Sequence, residues 1–392
     1  MTDLVVLSLE AWDHHRRRNQ YLVDELLATD PGLRVLFVEP AVDPLHELRR
    51  GFRPHRGRGL RRAGERLWCY EPTKPLPRRV DPAGDRRRAR GVLRAAQRAG
   101  LSTPVLWIND PAGATVLRET GWPALYDITD DWLAAERTPA EQRRLRDDEA
   151  YLLRTCREVV ACSPHLVATK GVDRPVTLVT NGVDVERYRR PVPRPADLPA
   201  GPTAVYVGTV HRDRFDVDLL RATARTLAAG APRTGDTSGG TGTAGQRGTV
   251  VVVGPVLDLT TAEIARVRAD GVVTLGRRAW DEVPGFLQHA DVLLVPHLVD
   301  RFTESLDPIK AYEYRAVGRP VVATPVAGFR DTADPRVVVA EPADFPEVVR
   351  AALAGAGDAA AHADPDVPTW SGQARLMAEV VDRVLQPVAT SS

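Results

Sequence analysis

The sequence predicts an α/β protein built from two doubly wound domains that face a cleft. Short apolar runs, typical of buried parallel strands, alternate with segments of helical periodicity. This alternation occurs twice, and a proline-rich stretch separates the two series. The 392 residues are enough for two domains of ordinary size, at about 100–200 residues per domain.

The first series starts with a βαβ unit. The helix in it is predicted from the apolar spacing of Tyr21, Leu22, Leu26 and Leu27. The expected strands are Leu4–Leu9, Arg34–Glu39, Val105–Ile108, Ala124–Ile128, Glu158–Cys162 and Val176–Val179. The expected helices are Gln20–Ala28, Ala112–Glu119 and Glu141–Thr155.

The domain boundary is expected at the proline-rich stretch, because its five prolines disfavour both helix and sheet. The predicted organisation is an N-terminal domain at 1–190, a linker at 191–202 and a C-terminal domain at 203–392. The last helix, near Gln373–Leu385, could pack on either domain. Residues 230–248 are rich in Gly, Thr and Ser and are expected to be a flexible surface insertion.

The second series repeats the architecture of the first. Its expected strands are Ala204–Val207, Thr249–Val253, Val272–Leu275, Val292–Val295 and Pro320–Ala323. Its expected helices are Asp218–Ala229, Thr261–Ala269, Val283–His289 and Pro308–Ala316.

Charge and cysteine usage exclude several classes of protein. The formal net charge is +1, which gives no overall basis for nucleic-acid binding. Three cysteines without a C-x-x-C spacing argue against a disulfide framework and favour a reducing cytoplasm. The first apolar run is too short for a signal peptide, and no later run approaches the length of a membrane span.

The most specific motif is the segment Glu304–Thr324, which reads as a loop, a helix and a buried strand joined by a Gly-x-Pro turn. Pro308 suits a first helical turn, so backbone N–H groups from Ser305 onward could bind an anionic phosphate. Lys310 and Glu313 lie three residues apart on that helix. They could offer a cation to phosphate and a carboxylate to two ribose hydroxyls; the alternative is a solvated pair of surface charges.

This motif resembles the donor-nucleotide motif of the GT-B glycosyltransferases, in particular the retaining group 1 enzymes, whose two domains are Rossmann-like. The resemblance extends to Asn181–Asp184, Tyr206–Thr209 and Ala290–Pro296. It implies an enzyme of carbohydrate or natural-product biosynthesis. Such an enzyme moves a sugar from a nucleoside diphosphate donor to a hydroxyl of a sugar, glycolipid or small natural product, with retention.

The resemblance assigns Glu313 to the ribose, but the sequence departs from the family pattern eight residues earlier. Many retaining members carry a second glutamate there, which contacts the donor sugar, and this chain has Ser305 beside Glu304. Sugar contacts are therefore expected from Glu304, Ser305 or Asp307.

The loop after strand Ala204–Val207 is expected to hold the departing diphosphate. Gly208 and Thr209 allow close backbone approach, and three basic side chains follow: His211, Arg212 and Arg214. Their alternative is a set of salt bridges with Asp213 and Asp216. His297 follows a strand end and is expected to line the donor site, or to be a structural histidine.

In the first domain, Asp127 and Asp130 follow a strand and could orient or deprotonate an acceptor hydroxyl. The alternative is helix capping by Asp130 or Asp131. Trp12, Arg18 and Gln20 follow the first strand on the expected acceptor side. No cluster has metal-ligand spacing, so no obligatory metal or further cofactor is expected.

The segment Arg49–Arg98 carries 17 basic and four acidic residues, a local charge of +13. It is expected to form a Gly/Arg loop at Gly51–Arg62 and a helix at Asp85–Ala99, with an arginine stripe of Arg87, Arg90, Arg94 and Arg98. The stripe could contact anionic lipid at the inner membrane face or steer a phosphate-bearing acceptor. Its alternative is a solvated face.

Two rival functions stay open on the sequence alone. One is a nucleotide-sugar epimerase of the same fold, which needs no acceptor. The other is a non-enzymatic protein that binds nucleic acid or an anionic surface through Arg49–Arg98, and it makes no use of the Glu304–Thr324 motif.

Overall fold

A computed structural model of the chain describes residues 2–13, 16–49, 53–78, 80–134, 137–230, 247–356 and 364–387. The described chain forms two compact units, Met1–Thr180 with Trp370–Ser392, and Asn181–Thr369. The expected insertion at 230–248 lies outside the described residues except for its first residue and its last two.

The first unit contains an eight-stranded sheet in the order β3-β4-β2-β1-β5-β6-β7-β8, parallel except for the β3–β4 pair. Its strands are β1 (Asp3–Leu7), β2 (Arg34–Val38), β3 (Gly59–Arg62), β4 (Leu67–Glu71), β5 (Val105–Ile108), β6 (Ala124–Ile128), β7 (Glu158–Ala161) and β8 (Thr177–Leu178). Its helices are α1 (Arg18–Thr29), α2 (Pro44–Arg49), α3 (Gly84–Arg98), α4 (Ala114–Thr120), α5 (Pro139–Thr155), α6 (Pro164–Lys170) and, from the end of the chain, α13 (Trp370–Leu385).

The second unit contains a parallel six-stranded sheet in the order β11-β10-β9-β12-β13-β14. Its strands are β9 (Thr203–Val207), β10 (Thr249–Val253), β11 (Val273–Gly276), β12 (Val292–Val295), β13 (Val321–Ala323) and β14 (Val337–Val339). Its helices are α7 (Val185–Arg189), α8 (Val217–Ala229), α9 (Thr261–Ala269), α10 (Val283–Gln288), α11 (Ile309–Val317) and α12 (Phe345–Gly355).

Alternate residues of the central strands of the second unit enter two different cores. Val205 and Val295 pack in one core, whereas Ala204 and Leu294 pack in the other. Both faces of the sheet are therefore covered, which explains why its strands are continuous apolar runs in the sequence.

Each sheet reverses its strand order beside its first strand. In the second unit the chain runs from β9 to β10 and β11 on one side, and then returns to β12 on the other. Ligands of doubly wound sheets bind beyond the carboxyl ends of the strands at this point. The loops after β9 and β12 are thus the expected place for a ligand in this unit.

The division between the units differs from the predicted boundary at 191–202. Tyr188 of α7 hydrogen-bonds to Glu313, and the backbone N–H of Asn181 donates to Asp307, so this part of the chain is built into the second unit. The last helix, α13, belongs to the first unit, where Trp370 stacks on Tyr21 of α1 with ring centroids 4.6 Å apart.

The expected Gly/Arg loop at Gly51–Arg62 is wrong at its end, where β3 pairs antiparallel with β4. The arginines fit a strand because Arg61 forms an ion pair with Glu39, whose side chain is fully buried. Charged side chains on an edge strand also discourage its pairing with a strand of another molecule.

Candidate functional site

The site forms in the second unit at the carboxyl ends of β9 and β12, where Gly208, His297 and Lys310 meet. Residues Phe215 and His297 form an isolated antiparallel bridge that joins the loop after β9 to the loop after β12. Helix α11, which follows the second loop, begins at Ile309 with Pro308 at its N-cap, one residue later than the predicted start.

Gly208 is required by the geometry of the loop after β9. Its φ of 147° lies where L side chains rarely occur. A Cβ atom at this position would also lie only 3.0 Å from the Tyr206 hydroxyl and 3.1 Å from Lys310 Nζ. Glycine therefore leaves space beside the lysine, as expected for close approach of a ligand to the backbone.

Lys310 lies in the first turn of α11 and points toward β9. Its Nζ is 3.0 Å from the Tyr206 hydroxyl and 3.4 Å from Nε2 of His297. The same ammonium lies 4.1 Å from the centre of the Tyr206 ring, within the range of a cation–π contact. Burial lowers the pKa of Lys310 to about 7, with Arg214 acting in the same direction and Glu313 opposing it.

His297 is a buried residue of the same group, with 4% of its surface exposed. Its backbone N–H donates to Thr324 Oγ1, and its carbonyl accepts a hydrogen bond from that hydroxyl. Burial lowers the pKa of His297 well below its usual range, and the charges of Lys310 and Arg214 add to this effect. A neutral imidazole is thus held beside the lysine.

Glu313 follows Lys310 by one helical turn, and its carboxylate accepts a hydrogen bond from the Tyr188 hydroxyl at 2.5 Å. Burial raises the pKa of Glu313, whereas the Tyr188 hydrogen bond, Lys310 and Arg187 lower it. The predicted three-residue spacing therefore places the Lys310 ammonium and the Glu313 carboxylate one turn apart on α11.

The residues expected to contact the donor sugar each have a partner within the second unit. Glu304 forms an ion pair with Arg330, with a nearest distance of 2.7 Å. The hydroxyl of Ser305 is fully buried and donates to the Phe302 carbonyl. Asp307 accepts hydrogen bonds from the Asn181 backbone and from the Tyr312 hydroxyl. These three side chains thus contribute to the shape of the loop that leads into α11.

The basic residues of the loop after β9 point in different directions. Arg214 pairs with Asp213 and acts electrostatically on Lys310, so it is close to the site. Arg212 instead donates two hydrogen bonds to Glu263 on α9. His211 lies 2.8 Å from Asp258. The Thr209 carbonyl accepts a hydrogen bond from the Tyr206 hydroxyl.

In the first unit, Asp127 is fully buried at the end of β6. Its carboxylate accepts hydrogen bonds from Arg18, from the Trp107 indole and from the Asn109 amide. The guanidinium of Arg18 also donates to the carbonyls of Val179 and Thr180. Asp127 therefore joins the carboxyl ends of several strands. These contacts account for a buried carboxylate at this position even when no substrate is bound.

Asp130 is partly exposed and accepts a hydrogen bond from the Thr129 hydroxyl. Its negative charge raises the pKa of Glu10, which reaches about 7 chiefly through burial, with Arg17 opposing the rise. Asp131 pairs with Lys170 and accepts a hydrogen bond from the Leu133 backbone N–H. The predicted capping of α5 by either aspartate is wrong, because that helix begins later and its N-cap is Thr138. Trp12 packs edge-on against Phe37, and Gln20 donates to the Asp13 carbonyl.

Three residues have contacts or a shifted pKa that the sequence did not predict: Tyr206 and Tyr188 in the second unit, and Glu10 in the first. Tyr206 lies inside the Tyr-Val-Gly-Thr segment, but a tyrosine in an apolar strand is typical of a core position. Glu10 comes directly after the first predicted strand, and residues at that position often line a ligand site, so its position could have identified it as a candidate.

Neither a group of residues able to hold a metal ion nor a helix able to cross a membrane occurs in the described part of the chain.

Residues 201–356 match the family model of glycosyl transferases group 1. A comparison with curated proteins found no match.

Several solved structures share the fold of the chain at low sequence identity. A trehalose-6-phosphate structure from E. coli, bound with UDP-2-fluoro glucose, is 12% identical, with a TM-score of 0.61 over 98% of this chain and 95% of that one. Anabaena Alr3699/HepE, in complex with UDP and glucose, is 15% identical, with a TM-score of 0.58 over 98% and 97%. The lipopolysaccharide outer core galactosyltransferase WaaB is 12% identical, with a TM-score of 0.53 over 98% and 97%. The predicted fold is thus confirmed: the chain has the fold of the GT-B glycosyltransferases, and residues 201–356 of its second unit match the family model of glycosyl transferases group 1.

Proposed function

We propose that the chain transfers a sugar from a nucleoside diphosphate donor to an acceptor hydroxyl, with retention at the anomeric carbon. The observation that carries the proposal is the placement of Lys310 and Glu313 on the first two turns of α11, with Lys310 beside Gly208 in the loop where the strand order reverses. The group 1 match covers all of these residues. Two of the structures with this fold are bound with UDP or a UDP-sugar, which supports a nucleotide-sugar donor.

Glu313 is the proposed ligand of the ribose hydroxyls, because a carboxylate accepts two hydrogen bonds from vicinal hydroxyls. The diphosphate would lie at the N-terminus of α11 against Gly208 and Thr209, with Lys310 and Arg214 as the nearest cations. His297, His211 and Arg212 would shape the surrounding loops.

The reaction breaks the bond between the anomeric carbon and the diphosphate oxygen, and the electron pair stays on that oxygen. Lys310 and Arg214 would stabilise the negative charge that develops on this oxygen. A cation does so more strongly than a neutral hydrogen-bond donor. Retention requires the acceptor oxygen to attack from the face that the diphosphate leaves. A diphosphate oxygen is then close enough to take the hydroxyl proton.

The acceptor side is proposed in the first unit, at the carboxyl ends of its strands. Asp130 and Glu10 are partly exposed there and could accept hydrogen bonds from a sugar, a glycolipid or a small natural product. Asp127 would act as a positioning residue, through Arg18 and Asn109. Glu304, Ser305 and Asp307 would position the loop that faces the donor sugar.

Peripheral contact with anionic lipid is proposed from the charge of α3, and a cytoplasmic location from the three free cysteines. Arg87, Arg90, Arg94 and Arg98 are exposed on this helix, as predicted, whereas Ala89, Val92 and Ala96 on its other side are buried. An exposed row of arginines is suited to an anionic surface.

The test is a thermal-shift screen with UDP, GDP, TDP and ADP sugars, followed by nucleotide release with and without candidate acceptors. A ligand at 100 times its dissociation constant stabilises the folded protein by about 2.7 kcal/mol, which gives a measurable shift. Nucleotide release that depends on an acceptor supports the transferase. Conversion of the donor sugar without any acceptor would indicate an epimerase, and no shift with any nucleotide would contradict the proposal.

A further inference from the structure

The first unit contains a cavity at the carboxyl ends of β1, β2 and β5, beside helices α3 and α4. Its volume is about 150 Å³, and buried apolar side chains form part of its wall, among them Leu7, Val92 and Val116. Pro40 and Ala112 also line the cavity and are exposed, so it is open to solvent. Pockets for drug-sized ligands enclose about 300–1,000 Å³, so this smaller cavity suits a single ring.

Three polar side chains of the wall have hydrogen-bonding capacity to spare. Ser8 is 5% exposed, and its Oγ accepts two hydrogen bonds, whereas its own hydrogen has no acceptor among the described residues. Oδ1 of Asp110 accepts from a backbone N–H, and its Oδ2 has no donor in the same part of the chain. The Thr115 hydroxyl has no hydrogen-bond partner within the described ranges. The cavity therefore offers a donor, an acceptor and a hydroxyl that can act as either.

The charged groups of the wall disfavour a charged ligand. Two of the three carboxylates that line the cavity have two arginine partners each: Glu39 has Arg58 and Arg61, and Asp85 has Arg78 and Arg88. Asp110, the third, has no ion-pair partner among the described residues, but the charges of Arg78 and Arg88 act on it. A phosphate would meet the charge of Asp110 and, on the described wall, no unpaired arginine. An ammonium group would meet the positive charge that already surrounds this aspartate.

We propose that this cavity binds one neutral, pyranose-sized sugar ring, and that the ring is the acceptor or the terminal sugar of a larger acceptor. Each ring hydroxyl donates one hydrogen bond and can accept others, which fits the spare groups of Ser8, Asp110 and Thr115. The C–H groups of the ring would pack on the apolar part of the wall. The identification of this sugar as the acceptor rests on the proposed function, whereas its binding does not need a nucleotide.

The experiment titrates the whole protein with the methyl pyranosides of glucose, galactose and mannose, in the absence of nucleotide. Saturation-transfer difference NMR detects binding, and calorimetry gives the dissociation constant. Glucose 6-phosphate and glucosamine are the charged comparisons. We expect a dissociation constant in the millimolar range for at least one neutral glycoside, as is usual for a ligand with so few atoms. Both charged sugars are expected to bind more weakly.

Thr115→Val keeps the shape of the side chain and removes its hydroxyl. Loss of this hydrogen bond should weaken glycoside binding about two- to tenfold. Thr169→Val is the matched control, because it makes the same change at an exposed position on α6 of the same unit, outside the cavity. Asp110→Asn keeps an acceptor oxygen and removes the charge. It should reduce the difference in affinity between glucose 6-phosphate and the neutral glycosides.

The outcomes separate this inference from the proposed function. Absence of binding by all three neutral glycosides overturns the inference and leaves the nucleotide site intact. Equal affinity in the wild type and in Thr115→Val also overturns it, because the sugar then binds elsewhere. Tighter binding of either charged sugar contradicts a neutral ligand. If no nucleotide sugar binds in the thermal-shift screen, the proposed function fails, and glycoside binding that depends on Thr115 would still identify this cavity as a sugar site.

Discussion

The Tyr188 hydroxyl donates a 2.5 Å hydrogen bond to the Glu313 carboxylate, and so joins α7 to α11 within the second unit. Tyr188 is almost fully buried, with 2% of its surface exposed. Glu313 therefore has two proposed tasks, since its carboxylate receives the tyrosine in the free protein and would receive ribose hydroxyls in the complex. A useful variant must weaken the proposed contact with the ribose and keep the hydrogen bond from Tyr188.

Glu313→Gln meets this condition, because its amide oxygen can still accept from Tyr188. We expect nucleoside diphosphate affinity to fall about ten- to a hundredfold, as the loss of a charged acceptor costs about 1.5–3 kcal/mol. Calorimetric titration measures the loss. Tyr188→Phe is the control: it should lower the free energy of unfolding by about 1.5–3 kcal/mol, the usual range for a hydrogen bond to a charged group, with little effect on affinity. Normal binding by a folded Glu313→Gln protein would remove Glu313 from the site.

Lys310→Ala should reduce kcat more than it raises KM, because the charge matters most as the diphosphate departs. Groups aimed at developing charge contribute about 10²–10³ in rate. The neighbouring arginines give an internal comparison. Arg214 acts on Lys310, whereas Arg212 is engaged by Glu263 on α9, so Arg214→Ala should impair turnover more than Arg212→Ala. Steady-state kinetics with the donor found by screening checks both statements, and the reverse order would contradict the assignment.

Substitutions of Asp127 and Asp130 are expected to differ in their effect on the free energy of unfolding. Asp127→Ala would leave the buried Arg18 without its counter-ion, and breaking such a pair costs about 3–5 kcal/mol. Asp130→Asn should change the free energy of unfolding much less, because its side chain is partly exposed. Urea unfolding measures both. A stable but inactive Asp127 variant would restore Asp127 as an acid–base group.

The helices and strands around the site were predictable because local signals agree with the fold there. Pro308 marks the start of α11, and continuous apolar runs mark β9 and β12. The partners of the functional groups were not predictable in the same way. Tyr206 and Tyr188 are 104 and 125 residues away from the side chains they contact, so no local pattern links them.

Two differences from the predicted organisation, and the placement of the last helix that the sequence left open, have a common cause, which is that long-range packing outweighs composition. Arg-rich β3 has few apolar residues, yet Arg61 reaches buried Glu39 and the strand forms. The proline-rich stretch suggested a linker, but α7 lies before it and is already part of the second unit. Helix α13 has an apolar face that fits either unit in sequence terms, and the stacking of Trp370 on Tyr21 accompanies its place in the first.

Glu10 gives a pH-dependent contribution to stability. Burial, with Asp130 and Asp13 nearby, raises its pKa to about 7 in the folded state from about 4.5. The folded protein therefore holds a proton that the unfolded chain releases, and stability should decline as pH rises from about 4.5 to 7. The side chain is 36% exposed, so solvent screening limits the effect to about 1 kcal/mol.

Glu10→Gln should remove this decline, because an amide does not titrate. The measurement is the free energy of unfolding in urea at pH 5 and pH 7.5 for both proteins. We expect the wild type to lose more stability across this interval than the variant. An identical loss in the two proteins would show that Glu10 titrates as an ordinary exposed carboxyl.

The arginine stripe on α3 provides the test of membrane contact, and the structure shows which arginines to change. Arg87 pairs with Asp81 and Arg90 pairs with Glu119, so reversing either charge would also break an ion pair. Arg94→Glu with Arg98→Glu changes two exposed residues of the same stripe and leaves those pairs in place.

If the stripe meets lipid, the wild type should co-sediment with vesicles that contain anionic phosphatidylserine and dissociate near 0.5 M salt, because screening shortens the reach of exposed charges. Each basic residue near such a surface contributes about 1 kcal/mol, so the double reversal should weaken binding at least tenfold. Arg143→Glu with Arg146→Glu is the matched control, since it makes the same charge change on exposed positions of α5. An equal loss in both double variants would indicate that net charge, and not the stripe, drives binding. Equal sedimentation with neutral vesicles would contradict an electrostatic contact altogether.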